Sequence, residues 1–178
     1  MGGRRPTLAT MSLPENAAPD RPVGLPLRLA AMTYEGVLLF GVTFAVAFAL
    51  LSVLGWTYPL SPSRRVVLQC ALFATIGVYF VWCWTRSGQT LALKTWKLRV
   101  AGPDGGRVSG PRAIARYLLS WHLFVPGLIV IALDRPGPIA SLAALALSFV
   151  LLLLPSLWDP ERRLLHDRWT RTRVLRDR

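Results

Sequence analysis

Histidine and cysteine are nearly absent from this chain: two of each in 178 residues. His122 and His166 are 44 positions apart, so no metal-ligand spacing exists and no metal is expected. Cys70 and Cys83 lie in one apolar stretch. On a helix their thirteen-residue separation means about 20 Å of rise and about 140° of rotation. They cannot form a disulfide with each other, and they read as buried small apolar residues. No Ser or Cys nucleophile motif accompanies the histidines, which predicts neither an enzyme nor a cofactor. Acids are also few, nine against 21 basic residues, leaving a net charge of +12. Only 17% of residues are charged, where a soluble domain carries about a quarter.

Charge is missing in blocks. Gly36–Ser63, Val66–Thr85, Tyr117–Leu133 and Pro136–Trp158 contain no Asp, Glu, Lys or Arg, and Asp134 and Arg135 separate the last two. A bilayer core of about 30 Å takes about 20 helical residues. A soluble bundle would need polar faces at helical period. Val37–Leu54 offers only Thr43 and Ser52. The pattern predicts an all-α membrane protein with four transmembrane helices at about 28–54, 66–85, 113–133 and 138–158. Pro126-Gly127 should kink the third.

The basic residues then explain themselves. Four precede the first span, seven lie between the second and third, and seven follow the fourth; only two and one occupy the other loops. Positive charge is retained in the cytoplasm, so both ends are expected there. Topology accounts for the +12 without nucleic acid. The basic face should attract anionic lipid headgroups at about 1 kcal/mol per nearby charge. Residues 1–25, with Pro6, Pro14, Pro19 and Pro22, read as a disordered cytoplasmic tail, and the first apolar block is too long for a signal-peptide core.

Between the second and third spans, Leu91–Val100 reads as an interfacial helical turn followed by a short strand near Leu98–Val100. Gly102-Pro103-Asp104-Gly105-Gly106 is a turn, with Arg107–Ser109 expected to return as a second strand and Thr172–Leu175 as a third. The result would be a small cytoplasmic β-hairpin or three-stranded sheet. Trp82 and Trp84 are expected at the inner interface. Arg112 and Arg116 share a helix face and are expected to snorkel to headgroups.

A few charges need an explanation. Arg28 and Glu35 are seven residues apart, within about 20° on a helix and about 10 Å along its axis. Intramembrane acids are rare and often mark ion paths. Either Glu35 serves transport, or it sits at headgroup depth neutralised by an arginine. In the tail, His166 beside Asp167 suggests acid–base chemistry or salt bridging to nearby arginines.

These segments resemble the RDD family of small bacterial membrane proteins, named for an arginine and two aspartates. Arg28-Leu29-Ala30-Ala31-Met32-Thr33-Tyr34-Glu35 is similar to its opening, with Glu35 where the name expects aspartate. Gly88-Gln89-Thr90-Leu91, Lys94 and Leu98-Arg99-Val100 resemble its middle motif, with Asp104-Gly105 as the turn; Leu93 stands where the family has glycine before the lysine. Leu165-His166-Asp167-Arg168 with Thr172-Arg173-Val174 resembles its closing motif. The second aspartate falls at Asp167, with Asp159 as the other candidate. The resemblance covers residues 26–176. It implies a multi-pass protein of the bacterial inner membrane, and suggests transport of unidentified ligands or cation/proton exchange.

Two functions are therefore expected. The first is proton-linked movement of a small solute or cation, with Glu35 as exchangeable acid, Arg28 as its charge partner and Asp167 as gate or latch. Four helices leave little room for a polar path, so a homo-oligomer is expected with it. The alternative is a non-transporting scaffold or accessory protein that binds anionic lipid or a partner protein, its charges tying helices to the sheet.

Overall fold

The computed structural model describes residues 23–159 and 163–177. The tail expected over 1–25 lies outside these up to residue 22. Helix α1, Leu25–Val53, starts with proline in its first turn, where a missing N–H costs nothing. Helix α2, Pro62–Arg86, starts the same way, one turn earlier than the apolar block. Then come the single turn α3, Leu91–Thr95, and strand β1, Leu98–Ala101. Helix α4 is Gly110–Ser120, followed by a 3-10 turn, Trp121–Leu123, and α5, Val125–Asp134. Helix α6, Pro138–Leu153, tightens into 3-10 over Leu154–Leu157. Pro155 explains the change, since it donates no hydrogen bond and its ring crowds the preceding turn. Short α7, Leu165–Trp169, and strand β2, Arg173–Arg176, close the fold.

Three helices are long and apolar enough to cross a membrane: α1, α2, and α6 with its 3-10 end. The pair α4 and α5 makes a fourth candidate, bent by 53°. The expected kink is thus a full break, with Pro126 in the first turn of α5. Ser148 of α6 donates to the carbonyl of Leu123 at 2.9 Å, so a backbone group freed by the break stays satisfied. Gly127 lets α5 lie close on α6; a Cβ there would meet Ala144 O at 2.8 Å. Arg28 near the start of α1 touches Asp167 beyond α6. Both ends of the bundle's path therefore lie together, which takes an even number of traverses. The bent pair is the candidate for the fourth.

Burial is concentrated at this shared end. Ala31, Trp84, Leu98, Val100, Tyr117 and Val174 belong to one core cluster joining the inner turns of α1, α2 and α4 to the strands. Along the long helices the apolar side chains face outward: Phe40 is 73% exposed and Ile139 87%. Water would not tolerate so large an apolar surface; hydrocarbon does. Cys70 is exposed on α2 and Cys83 half-buried, so the expectation of two buried cysteines fails for Cys70, which sits on the outward face.

The sheet has two strands among the described residues, paired antiparallel with Val100 opposite Val174. The expected return strand at Arg107–Ser109 does not form. The partner of β1 comes from the far end of the fold. The other edge of β1 is covered, since Val100 N–H donates to Gly88 O at 2.7 Å and Gln89 Nε2 to Leu98 O at 2.9 Å. A third strand has no open edge to join there.

Candidate functional site

Three segments separated in sequence bring their polar residues to the buried end of the bundle. The first is α1, which presents Arg28 and Glu35 one above the other, both buried. The second is the loop after α2. Gly88 holds φ +74 there, and a Cβ would lie 2.7 Å from Val100 O, so only glycine fits. That turn delivers Gln89, whose amide also donates to Asp177 at 2.9 Å, and Thr90, the N-cap of α3. The third is α7, which carries His166, Asp167 and Arg168, with Thr172 just beyond.

Asp167 is fully buried and is the centre of the arrangement. Arg28 Nη1 donates to its Oδ2 at 3.2 Å, and Arg116 Nη1 donates to its Oδ1. The Leu164 backbone N–H, at the start of α7, donates to Oδ2 at 3.3 Å. Arg116 Nη1 also donates to Thr172 Oγ1, and its guanidinium lies 5.0 Å from the ring centre of Trp84. Arg116 and Trp84 are therefore buried in the fold and not at the headgroups as expected. A buried carboxylate 51 residues away competes better for Arg116 than solvent does. Trp82 does remain outside, 60% exposed.

Burial pushes Asp167 toward protonation, but Arg116, His166 and Arg28 together outweigh it and hold the carboxyl below its ordinary range. His166 lies 3.5 Å from Asp167 Oδ1. Burial drives its imidazole down to about 3, against the pull of Asp167. It is neutral at neutral pH. The His166 ring faces His122 at 5.8 Å between ring centres, and His122 Nδ1 is hydrogen-bonded to Leu119 O.

Glu35 is held differently. Tyr79 donates to its Oε1 at 2.7 Å and Thr90 to its Oε2. Each hydroxyl also accepts a backbone N–H, from Leu91 at 3.4 Å and from Leu93 at 3.3 Å. Among the described residues Glu35 has no ion pair. The expected Arg28–Glu35 partnership is replaced by two separate arrangements, because Asp167 reaches Arg28 from the other side of the core. Asp159, the other candidate aspartate, pairs with Arg163 at 3.5 Å and Arg168 at 4.0 Å. Lys94 is exposed on α3.

Residues 22–171 match the model of the RDD family. The chain belongs to the RDD family. No curated protein and no solved structure matches it. In this RDD chain the opening arginine and the closing aspartate meet, and the middle motif seats the acid of α1. Tyr79 and Arg116, outside the motif segments read from sequence, complete both contacts. For Arg116 a signal was present: an arginine just inside a span needs an acid, and Asp167 was one of few available.

A cavity of about 400 Å³ connects the two arrangements. Arg28, Glu35, Arg116, His166 and Asp167 line it at polar points; Leu39, Ile76, Phe80, Phe124 and Phe149 are among its apolar walls. Its size falls within the range of small-molecule sites, roughly 300–1,000 Å³.

Proposed function

We propose that this RDD protein moves a small solute or cation across the bilayer, linked to protons through Glu35. The supporting observation is the state of Glu35. It is an acid inside a membrane-length helix, buried, lining a cavity, held by two hydroxyls and without an ion pair among the described residues. A carboxylate so placed takes a cation or a proton at little structural cost, because no arginine has to be displaced. Asp167, fixed between two guanidiniums, acts as the latch that keeps the C-terminal segment over the cavity. The membrane is the bacterial cytoplasmic membrane, with both ends of the chain in the cytoplasm, as the bias of basic residues supports. A homo-oligomer would widen the polar path.

The test is flux in liposomes. A cation gradient should drive a change of internal pH with the wild-type protein, and Glu35→Gln should abolish it. Wild-type protein that is well folded yet moves no protons overturns the reading.

One observation favours the scaffold alternative. Arg28 and Asp167, two of the family's charges, are spent on an internal ion cluster, while Lys94, Lys97, Arg168 and Arg171 are exposed and suited to anionic headgroups. Under that reading Glu35→Gln lowers stability and leaves ion fluxes unchanged.

A further inference from the structure

Arg116 uses only part of its hydrogen-bonding capacity. Its Nη1 serves Asp167 and Thr172; among the described residues its Nε and Nη2 have no acceptor, and Nε is sealed from solvent. The Nε–Nη2 edge is the one that grips a carboxylate or phosphate side-on with two parallel hydrogen bonds. Arg116 is 95% buried, since its relative exposure is 5%, and it lines the cavity. Trp84 lies under the guanidinium, and its Nε1–H is likewise buried without an acceptor. Asp167 Oδ1 is the one carboxylate oxygen that Arg116 meets among the described residues, and it takes Nη1, so the Nε–Nη2 edge is left to a ligand. Away from this point the cavity walls are largely apolar.

We propose that the cavity binds an anionic amphiphile: an oxyanion head, carboxylate or phosphate, carried on an apolar chain. The head takes the free edge of Arg116 and the indole N–H of Trp84, after a small shift that opens Nε. The chain lies along Ile76, Phe80 and Phe149. This names the class of solute for the transport reading above and rests on it, but the binding step is measurable without flux. A free inorganic anion would leave the apolar walls empty, and a plain hydrocarbon would leave the donors unmet.

The experiment uses the full chain in nanodiscs of phosphatidylcholine, titrated calorimetrically with decanoate, decyl phosphate and decanol. The three probes share a tail and differ in head. The two anions should bind about tenfold or more tightly than the alcohol. Arg116→Lys keeps a cation for Asp167 but has no side-on edge, and it should remove that preference. Gly36→Leu tests the cavity without touching the ion cluster. Gly36 lines the cavity, and a Cβ there meets nothing within 4 Å, so the added side chain fills space and spares the fold. It should weaken both anions about tenfold. If Arg116→Lys does not fold, Trp84→Phe replaces it, removing one N–H and keeping the ring. Equal binding of decanol and decanoate overturns the proposal, as does unchanged binding in Gly36→Leu.

Replacing part of the nanodisc lipid with phosphatidylglycerol separates the two sources of the head. Weakened decanoate binding assigns the site to a membrane lipid, and unchanged binding assigns it to a free amphiphile; both keep the site. Protein that binds decanoate but shows no flux retains this site and overturns transport. Flux without binding does the reverse.

Discussion

Tyr79 and Glu35 share a 2.7 Å hydrogen bond from α2 to α1, with the phenol donating. The same hydroxyl accepts Leu91 N–H, so one oxygen joins both helices to the loop that follows. Tyr79→Phe should cost about 1 kcal/mol of stability, and Thr90→Val about 1–3 kcal/mol, because Thr90 is buried and also caps α3. Thermal unfolding in detergent measures both. Under the transport reading each variant also alters the cation dependence of flux, which an inert tie between helices would not do.

Asp167→Asn removes the charge that neutralises Arg28 and Arg116 while keeping its shape. Breaking a buried pair strands the partner, at about 3–5 kcal/mol. The expected outcome is a large drop in melting temperature. Removing Arg28 and Asp167 together should cost less than the two single losses added, which a double-mutant cycle reads.

Acid should weaken the fold in two stages. His166 has a folded value of about 3 against an unfolded value near 6.5, so the unfolded chain gains its proton first. Stability contributed by neutral His166 is complete above pH 6.5 and is lost as pH falls from there toward 3, at up to about 1.4 kcal/mol per pH unit. Asp167, also depressed, contributes above the ordinary carboxylate value, and that contribution is lost only as pH falls through its own lower value. His166→Gln should flatten the melting-temperature profile between pH 6.5 and 4.5; an unchanged profile would place the acid sensitivity elsewhere.

Gly88→Ala puts a side chain at φ +74 and against the Val100 carbonyl. The strain should cost roughly 1–3 kcal/mol and loosen the turn that carries Thr90. Cysteine-accessibility labelling at Gln89 should rise in the variant.

The spans were legible because hydrocarbon imposes length and apolarity on each segment separately, as Val37–Leu54 shows. Pro126 and Gly127 announced the break in the third span, though not that it would be a bend of 53°. Pairings were harder. Arg28 and Glu35 fall on one face by helical geometry, yet each is satisfied by a residue from elsewhere in the chain. Sequence spacing reports on neighbours along one helix; Asp167, 139 residues from Arg28, competes only once the chain has folded. The same limit hid the sheet. Arg107–Ser109 is the nearest partner for β1, but Gly88 and Gln89 already cover one edge and β2 takes the other.

The order of synthesis gives the Asp167 contact a temporal meaning. Arg28 and Arg116 leave the ribosome before the acid that joins them, so their shared anion comes only after α6 has been made. A nascent chain halted before α7 therefore lacks the acid that joins Arg28 to Arg116. The three-way contact closes only when Asp167 follows α6 out of the ribosome.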